Sequence, residues 1–113
     1  MHEMALALNV IDIAAEAARA HAAARVLRVR LRIGALAAVE PEALRFCFAA
    51  AARGTPVEDA ALEIARTDGR AWCAGCGRTV VIGSRAAPCP ECGAAQLLVT
   101  GGEDLAVQDL EVA

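Results

Sequence analysis

The stretch Val26-Leu27-Arg28-Val29-Arg30-Leu31-Arg32-Ile33 decides how this chain is built. Leu27, Val29, Leu31 and Ile33 alternate with Arg28, Arg30 and Arg32. A period of two sends successive side chains to opposite faces of a strand. Residues 25–33 are therefore a predicted strand with one apolar and one cationic face. The arginine row reads either as a solvated sheet surface or as a docking surface for an acidic partner.

On the N-terminal side, residues 4–22 are a predicted helix. Met4, Leu8, Ile11, Ala15 and Ala18 recur at helical spacing and form its expected apolar stripe. On the C-terminal side, a second helix is predicted from Pro41 to Arg53. Proline suits the first turn, Glu40 and Glu42 suit the positive end, and Gly54 can close it. Its expected inner stripe is Leu44, Cys47, Phe48 and Ala51, with Cys47 a small buried apolar residue. Strands are predicted at 60–66, with Leu62 and Ile64 inward, and at 104–112. In the latter, Leu105 and Val107 are out of phase with Leu110 and Val112, which implies a break near Gln108.

The fold class is thus α+β: a small β-sheet covered by two helices, with an inserted zinc-ribbon-like module. Residues 1–69 and 101–113 form the expected α/β domain, and residues 70–100 the inserted module. Hydrophobic residues make up 58% of the 113, so a packed core is feasible. Much of that share is alanine, and a light core calls for a staple. The net charge of −3 and pI near 5.3 argue against a nucleic-acid binder. No apolar run reaches the roughly 18 residues that span a bilayer, and the start lacks a secretory pattern. A cytoplasmic protein is expected, whose cysteines favour metal over disulfides.

Those cysteines supply the staple. Cys73 and Cys76 form one Cys-x-x-Cys-Gly unit, and Cys89 and Cys92 form another. A two-residue gap lets both thiolates of a turn face one metal. Gly77 and Gly93 permit a positive φ that would aim backbone N–H groups at the sulfurs. Four thiolates complete a tetrahedral shell for Zn²⁺, and a closed shell makes that zinc structural. Val80, Val81 and Ile82 between the pairs suit a small hairpin arm. Paired disulfides and an iron site remain the competing uses of these ligands.

The chain begins Met1-His2-Glu3. A histidine near a frayed end is commonly incidental. Yet His2 is too large to permit trimming of Met1. The free amine, the His2 imidazole and the intervening amide nitrogens can form fused chelate rings. Planar nitrogen donors suit Ni²⁺ or Cu²⁺. An amine pKa near ~8 and an imidazole near ~6.5 make both available around neutrality. Glu3 would add an oxygen or orient the imidazole. His21 near the end of the first helix reads as a surface residue suited to the helix's negative end.

Met1-His2-Glu3, the amphipathic helix, the strand Arg28–Gly34, the segment Val39–Phe46, the four-cysteine module and the closing strand follow one another in an order that resembles the HypA/HybF proteins. These are hydrogenase nickel-incorporation accessory proteins, and the resemblance covers essentially the whole chain. It implies a nickel metallochaperone and no enzyme. His2 would be the principal Ni²⁺ ligand, with Met1 and Glu3 in support, and Ni²⁺ would be transferred cargo. Cys73, Cys76, Cys89 and Cys92 would hold structural Zn²⁺. The implied partners are a HypB-type nickel GTPase and the [NiFe] hydrogenase large subunit, with urease maturation factors served by some relatives. No nucleic acid or membrane partner is implied. The alternative is a zinc-ribbon binding module for nucleic acid or a protein partner, which the scarcity of aromatic residues disfavours for stacking bases. An enzyme would need a nucleophile–base set, a phosphate-cradling loop or an open zinc position, and none is evident.

Overall fold

The computed structural model describes residues 2–113. Among the described residues there are two helices and two three-stranded sheets. Helix α1 spans Glu3–Ala20, and α2 spans Pro41–Ala51. Strands β1 (Val26–Gly34), β2 (Ala61–Thr67) and β6 (Leu105–Val112) form one sheet in the order β2-β1-β6. Strands β3 (Gly69–Cys73), β4 (Arg78–Ile82) and β5 (Leu98–Gly101) form the other, in the order β4-β3-β5. The chain divides into two compact units. One holds the chain through Leu31, Val39–Ala65 and Val107–Ala113; the other holds Arg32–Ala38 and Arg66–Ala106. Among the described residues, no helix is long and apolar enough to cross a membrane.

In the first unit α1 packs on α2. The buried face of α1 is Ala7, Val10, Ile11, Ala14, Ala15 and Ala18. The expected stripe is right at Ile11, Ala15 and Ala18 and wrong at its start: Met4 and Leu8 are 43% and 50% exposed. Apolar residues wrap most of this helix, so periodicity alone does not fix its rotation. The observed choice buries the alanine-rich side, whose short side chains allow close approach. The helix ends without glycine. Ala22 takes φ +53, Ala23 N–H donates to the Ala18 carbonyl at 2.8 Å, and Ala22 N–H donates to Arg19 at 3.1 Å. This paired closure satisfies two of the last carbonyls.

Helix α2 starts as expected, with Pro41 at the first turn and Glu40 as N-cap. Leu44, Phe48 and Ala52 are buried, while Cys47 and Ala51 are half-buried. Strand β1 keeps its alternation at Val29, Leu31 and Ile33 but not at Leu27, which is 38% exposed. Val26 is buried in its place, and its N–H donates to the Pro56 carbonyl at 2.9 Å. That tether puts the strand's entry out of phase with its middle.

The arginine row is not an open cationic surface. Arg28 contacts Glu63 and Glu111, both at 3.3 Å. Arg30 contacts Glu63 at 3.3 Å and Asp109 at 3.0 Å. In the second unit Arg32 contacts Asp104 at 3.0 Å. Carboxylates flanking β1 thus neutralise its arginines, so the docking-surface reading for an acidic partner loses its basis.

Candidate metal centres

In the second unit β3 carries Gly69 through Cys73 antiparallel to β4, with Ala71 opposite Val80 and Cys73 opposite Arg78. The hairpin is longer than the expected arm, because β3 itself is one of its strands. Ala71 and Cys73 face inward, while Arg70 and Trp72 face out. Leu36, Ala71, Cys73, Val80, Ile82 and Cys89 form one buried cluster, with Cys76, Leu97 and Val99 packed against it. Two of the four cysteines are therefore also members of a small apolar core.

Each Cys-x-x-Cys-Gly unit folds as a tight turn. Gly77 and Gly93 take φ +68 and +78. Their N–H groups donate to the Cys73 and Cys89 carbonyls, at 2.8 and 2.9 Å. Both glycines thus close their turns, and the expectation that the turns aim backbone N–H groups at sulfur holds in the second one. A backbone donor that does reach sulfur is the N–H of Glu91, 3.4 Å from Cys89 Sγ.

The two turns bring all four sulfurs within 4.8 Å of one another. Cys73 Sγ lies 3.6 Å from Cys92 Sγ, and Cys76 Sγ 3.8 Å from Cys89 Sγ. No disulfide links any of them. A tetrahedron with Zn–S bonds of ~2.3 Å has sulfur–sulfur edges of about 3.8 Å. The donors present fit zinc in number, softness and spacing. The four thiols also act on one another's protonation. The Cys76 thiol is pushed up to about 12, chiefly by its hydrogen bond with Cys92 and then by desolvation. Cys89 is lowered, chiefly by the backbone N–H of Cys92. Crowded thiols resist joint ionisation without a cation, and a divalent ion reverses that resistance. Sequence reading passed over Arg78 and Glu91, whose side chains form an ion pair between the two turns. The available signal was opposite charges, one following the first Cys-x-x-Cys-Gly and one inside the second.

In the first unit His2 is the N-cap of α1, exposed, and its side chain makes no capping hydrogen bond. Met1, the third expected contributor to the nickel site, lies outside the described residues. Glu3 is half-buried, and its Oε2 accepts a hydrogen bond from the Glu40 backbone N–H at 3.2 Å. That bond holds the Glu3 carboxyl below its ordinary value of 4.5. His21 caps the other end of α1, exposed, with Nδ1 2.9 Å from the Ala17 carbonyl oxygen.

A family model described as hydrogenase/urease nickel incorporation, metallochaperone, HypA matches residues 1–112. The hydrogenase maturation factor HypA of Rhodopseudomonas palustris (strain BisB5) is 52% identical over 112 residues, covering 99% of both chains. Hydrogenase maturation factor HypA 2 of Bradyrhizobium diazoefficiens is 54% identical with the same coverage. The fold is similar to the solution structure of the nickel metallochaperone HypA from Helicobacter pylori, with TM-score 0.67 and 23% identity over 99% of this chain and 97% of that one. A second HypA solution structure gives TM-score 0.70 at 23% identity, covering 100% of this chain and 97% of that one. With two helices, small sheets, a four-cysteine centre that fits zinc and a match along nearly its whole length, the chain belongs to the HypA family of nickel-incorporation metallochaperones.

Proposed function

We propose that this protein binds Ni(II) at its amino end and delivers it for maturation of a [NiFe] hydrogenase. His2 is the principal ligand, with Met1 and Glu3 in support. Cys73, Cys76, Cys89 and Cys92 hold structural zinc. The nickel-binding domain is residues 1–69 and 101–113, and the zinc module is residues 70–100. The protein is a cytoplasmic carrier with no catalytic step of its own. Its partners are a HypB-type nickel GTPase and the hydrogenase large subunit, with urease maturation factors as a further client.

The observation that carries this reading is the state of His2. Its imidazole is exposed at the start of a helix, and no capping bond occupies it. A ring so placed can ligate a metal without losing a structural role. A terminal site also encloses its ion loosely, which suits a carrier that must release what it binds. Micromolar nickel affinity is expected, about −8 kcal/mol. A four-thiolate zinc site should hold far more tightly, at about 10–16 kcal/mol.

Nickel titration of zinc-loaded protein with a native amino end tests the proposal. One nickel per chain is expected, and His2→Ala should abolish it while leaving zinc in place. Equal nickel binding by His2→Ala would reject the site.

A second reading as a zinc-ribbon docking module draws on the outer face of β3–β5, where Trp72, Val81 and Leu98 are exposed beside Arg70. Loss of hydrogenase maturation in Trp72→Ala with nickel binding intact would favour it.

A further inference from the structure

The start of α2 is capped in an unusual way. Glu40 stands at the N-cap, and its own carboxylate accepts the Glu42 N–H at 3.0 Å. Pro41 at the first helical position has no N–H to satisfy. In a capping box, the side chain three residues after the N-cap reaches back to the N-cap backbone N–H. Here that position is Ala43, which has no acceptor. The acceptor comes from the other helix: Glu3 Oε2 lies 3.2 Å from Glu40 N. Glu3 is also the first residue of α1, adjacent to His2. One carboxylate therefore completes the cap of α2 and ties down the first turn of α1.

We propose that Glu3 is a positioning residue: its carboxylate finishes the α2 cap from α1 and so holds His2 in place beside the start of α2. The nickel consequence rests on the function proposed above; the capping role does not. The Glu3 side chain is committed to Glu40, so its support of the ion is indirect. Its backbone N–H, at the first position of α1, lies outside the helix's own hydrogen-bond ladder and is placed to join a chain of nitrogen donors. Nickel affinity then depends on how well the first turn is held, and any partner that displaces Glu3 from Glu40 loosens the site.

Glu3→Ala and Glu3→Gln separate the alternatives, because glutamine keeps an acceptor oxygen but is a poor substitute for a ligating carboxylate. In zinc-loaded, nickel-free protein, Glu3→Ala should shift the Glu40 amide resonance and lower Tm by about 4–8 °C. Glu3→Gln should largely restore both. Nickel affinity should fall about tenfold in Glu3→Ala, with the ligand-field absorption band unmoved, and recover in Glu3→Gln. The double variant Glu3→Ala/Ala43→Glu rebuilds the capping box within α2. It should recover Tm but not nickel affinity, which a purely structural role for Glu3 would not produce. An unmoved Glu40 amide in Glu3→Ala overturns the cap. A shifted band with full affinity loss in Glu3→Gln overturns the positioning role and makes the carboxylate a ligand. Should the parent protein bind no nickel, the delivery reading fails by itself, while the amide and Tm results still decide the cap.

Discussion

Gly34 and Gly102 meet with no room for a side chain between them: a Cβ on Gly34 would lie 2.0 Å from the Gly102 carbonyl oxygen. The neighbour is backbone, and that same oxygen accepts the Leu36 N–H at 2.8 Å. It cannot move aside without breaking the hydrogen bond that joins the Leu36 loop to Gly102 within the second unit. Gly34→Ala should cost about 3 kcal/mol or more, the upper range for overpacking. Gly83→Ala, where a Cβ meets nothing within 4 Å, is the control and should be near neutral. Denaturant titration of both variants checks this.

Zinc should be structural in the measurable sense. The second unit's core is small, and Cys73 and Cys89 are part of it. Chelation should therefore remove tertiary order from residues 66–106 while α1 and α2 persist, since their buried residues are their own. Ligands must lose protons to bind, so zinc uptake by stripped protein should release protons. Amide exchange with and without chelator, residue by residue, would expose any failure. Persistent protection across β3–β5 in the stripped protein contradicts the expectation.

The ion pairs around Arg30 should contribute modestly. Arg30 reaches Glu63 and Asp109 with its side chain 35% exposed, so solvent screens it in part. Arg30→Ala should destabilise by about 0.5–1 kcal/mol. The difference should shrink at ~1 M salt, where charges are screened within about 3 Å. A salt-independent loss would point to packing by the arginine stem instead.

Acid should loosen the link between the two helix starts. The folded Glu3 carboxyl sits below its ordinary value of 4.5, with the Glu40 N–H as the main cause. A lowered folded value means the contribution is complete above pH 4.5 and is lost as pH falls through the folded value. The Glu40 amide resonance should titrate with a midpoint below 4.5, and the titration should vanish in Glu3→Ala. A midpoint at or above 4.5 would contradict the hydrogen bond.

Much of the architecture was readable from residues alone, because the relevant signals are local. The two Cys-x-x-Cys-Gly units demand tight turns wherever they lie, and four thiols paired in this way suit one metal. Val29, Leu31 and Ile33 could face only one way once the arginines faced the other. Pro41 opens a helix through a backbone restriction that belongs to proline itself, whereas the expected closure at Gly54 is not where α2 stops: it ends at Ala51 with Ala52 as C-cap.

The remaining features depended on what the chain meets in space. Residues of α1 offer more than one apolar stripe, and packing on α2 selected the alanine side over Met4 and Leu8. Leu27 lost its inward place to Val26 because Pro56 supplies a carbonyl there. The arginine row drew its partners from positions 33 to 83 residues away in sequence, at Glu63, Asp104, Asp109 and Glu111. Glu3 found Glu40 across 37 residues. Backbone preference and metal-ligand chemistry act within a few residues, so composition and spacing determined them. Which helix face is buried, and which charge meets which, is settled by free-energy differences between distant groups, and only the assembled fold could decide those.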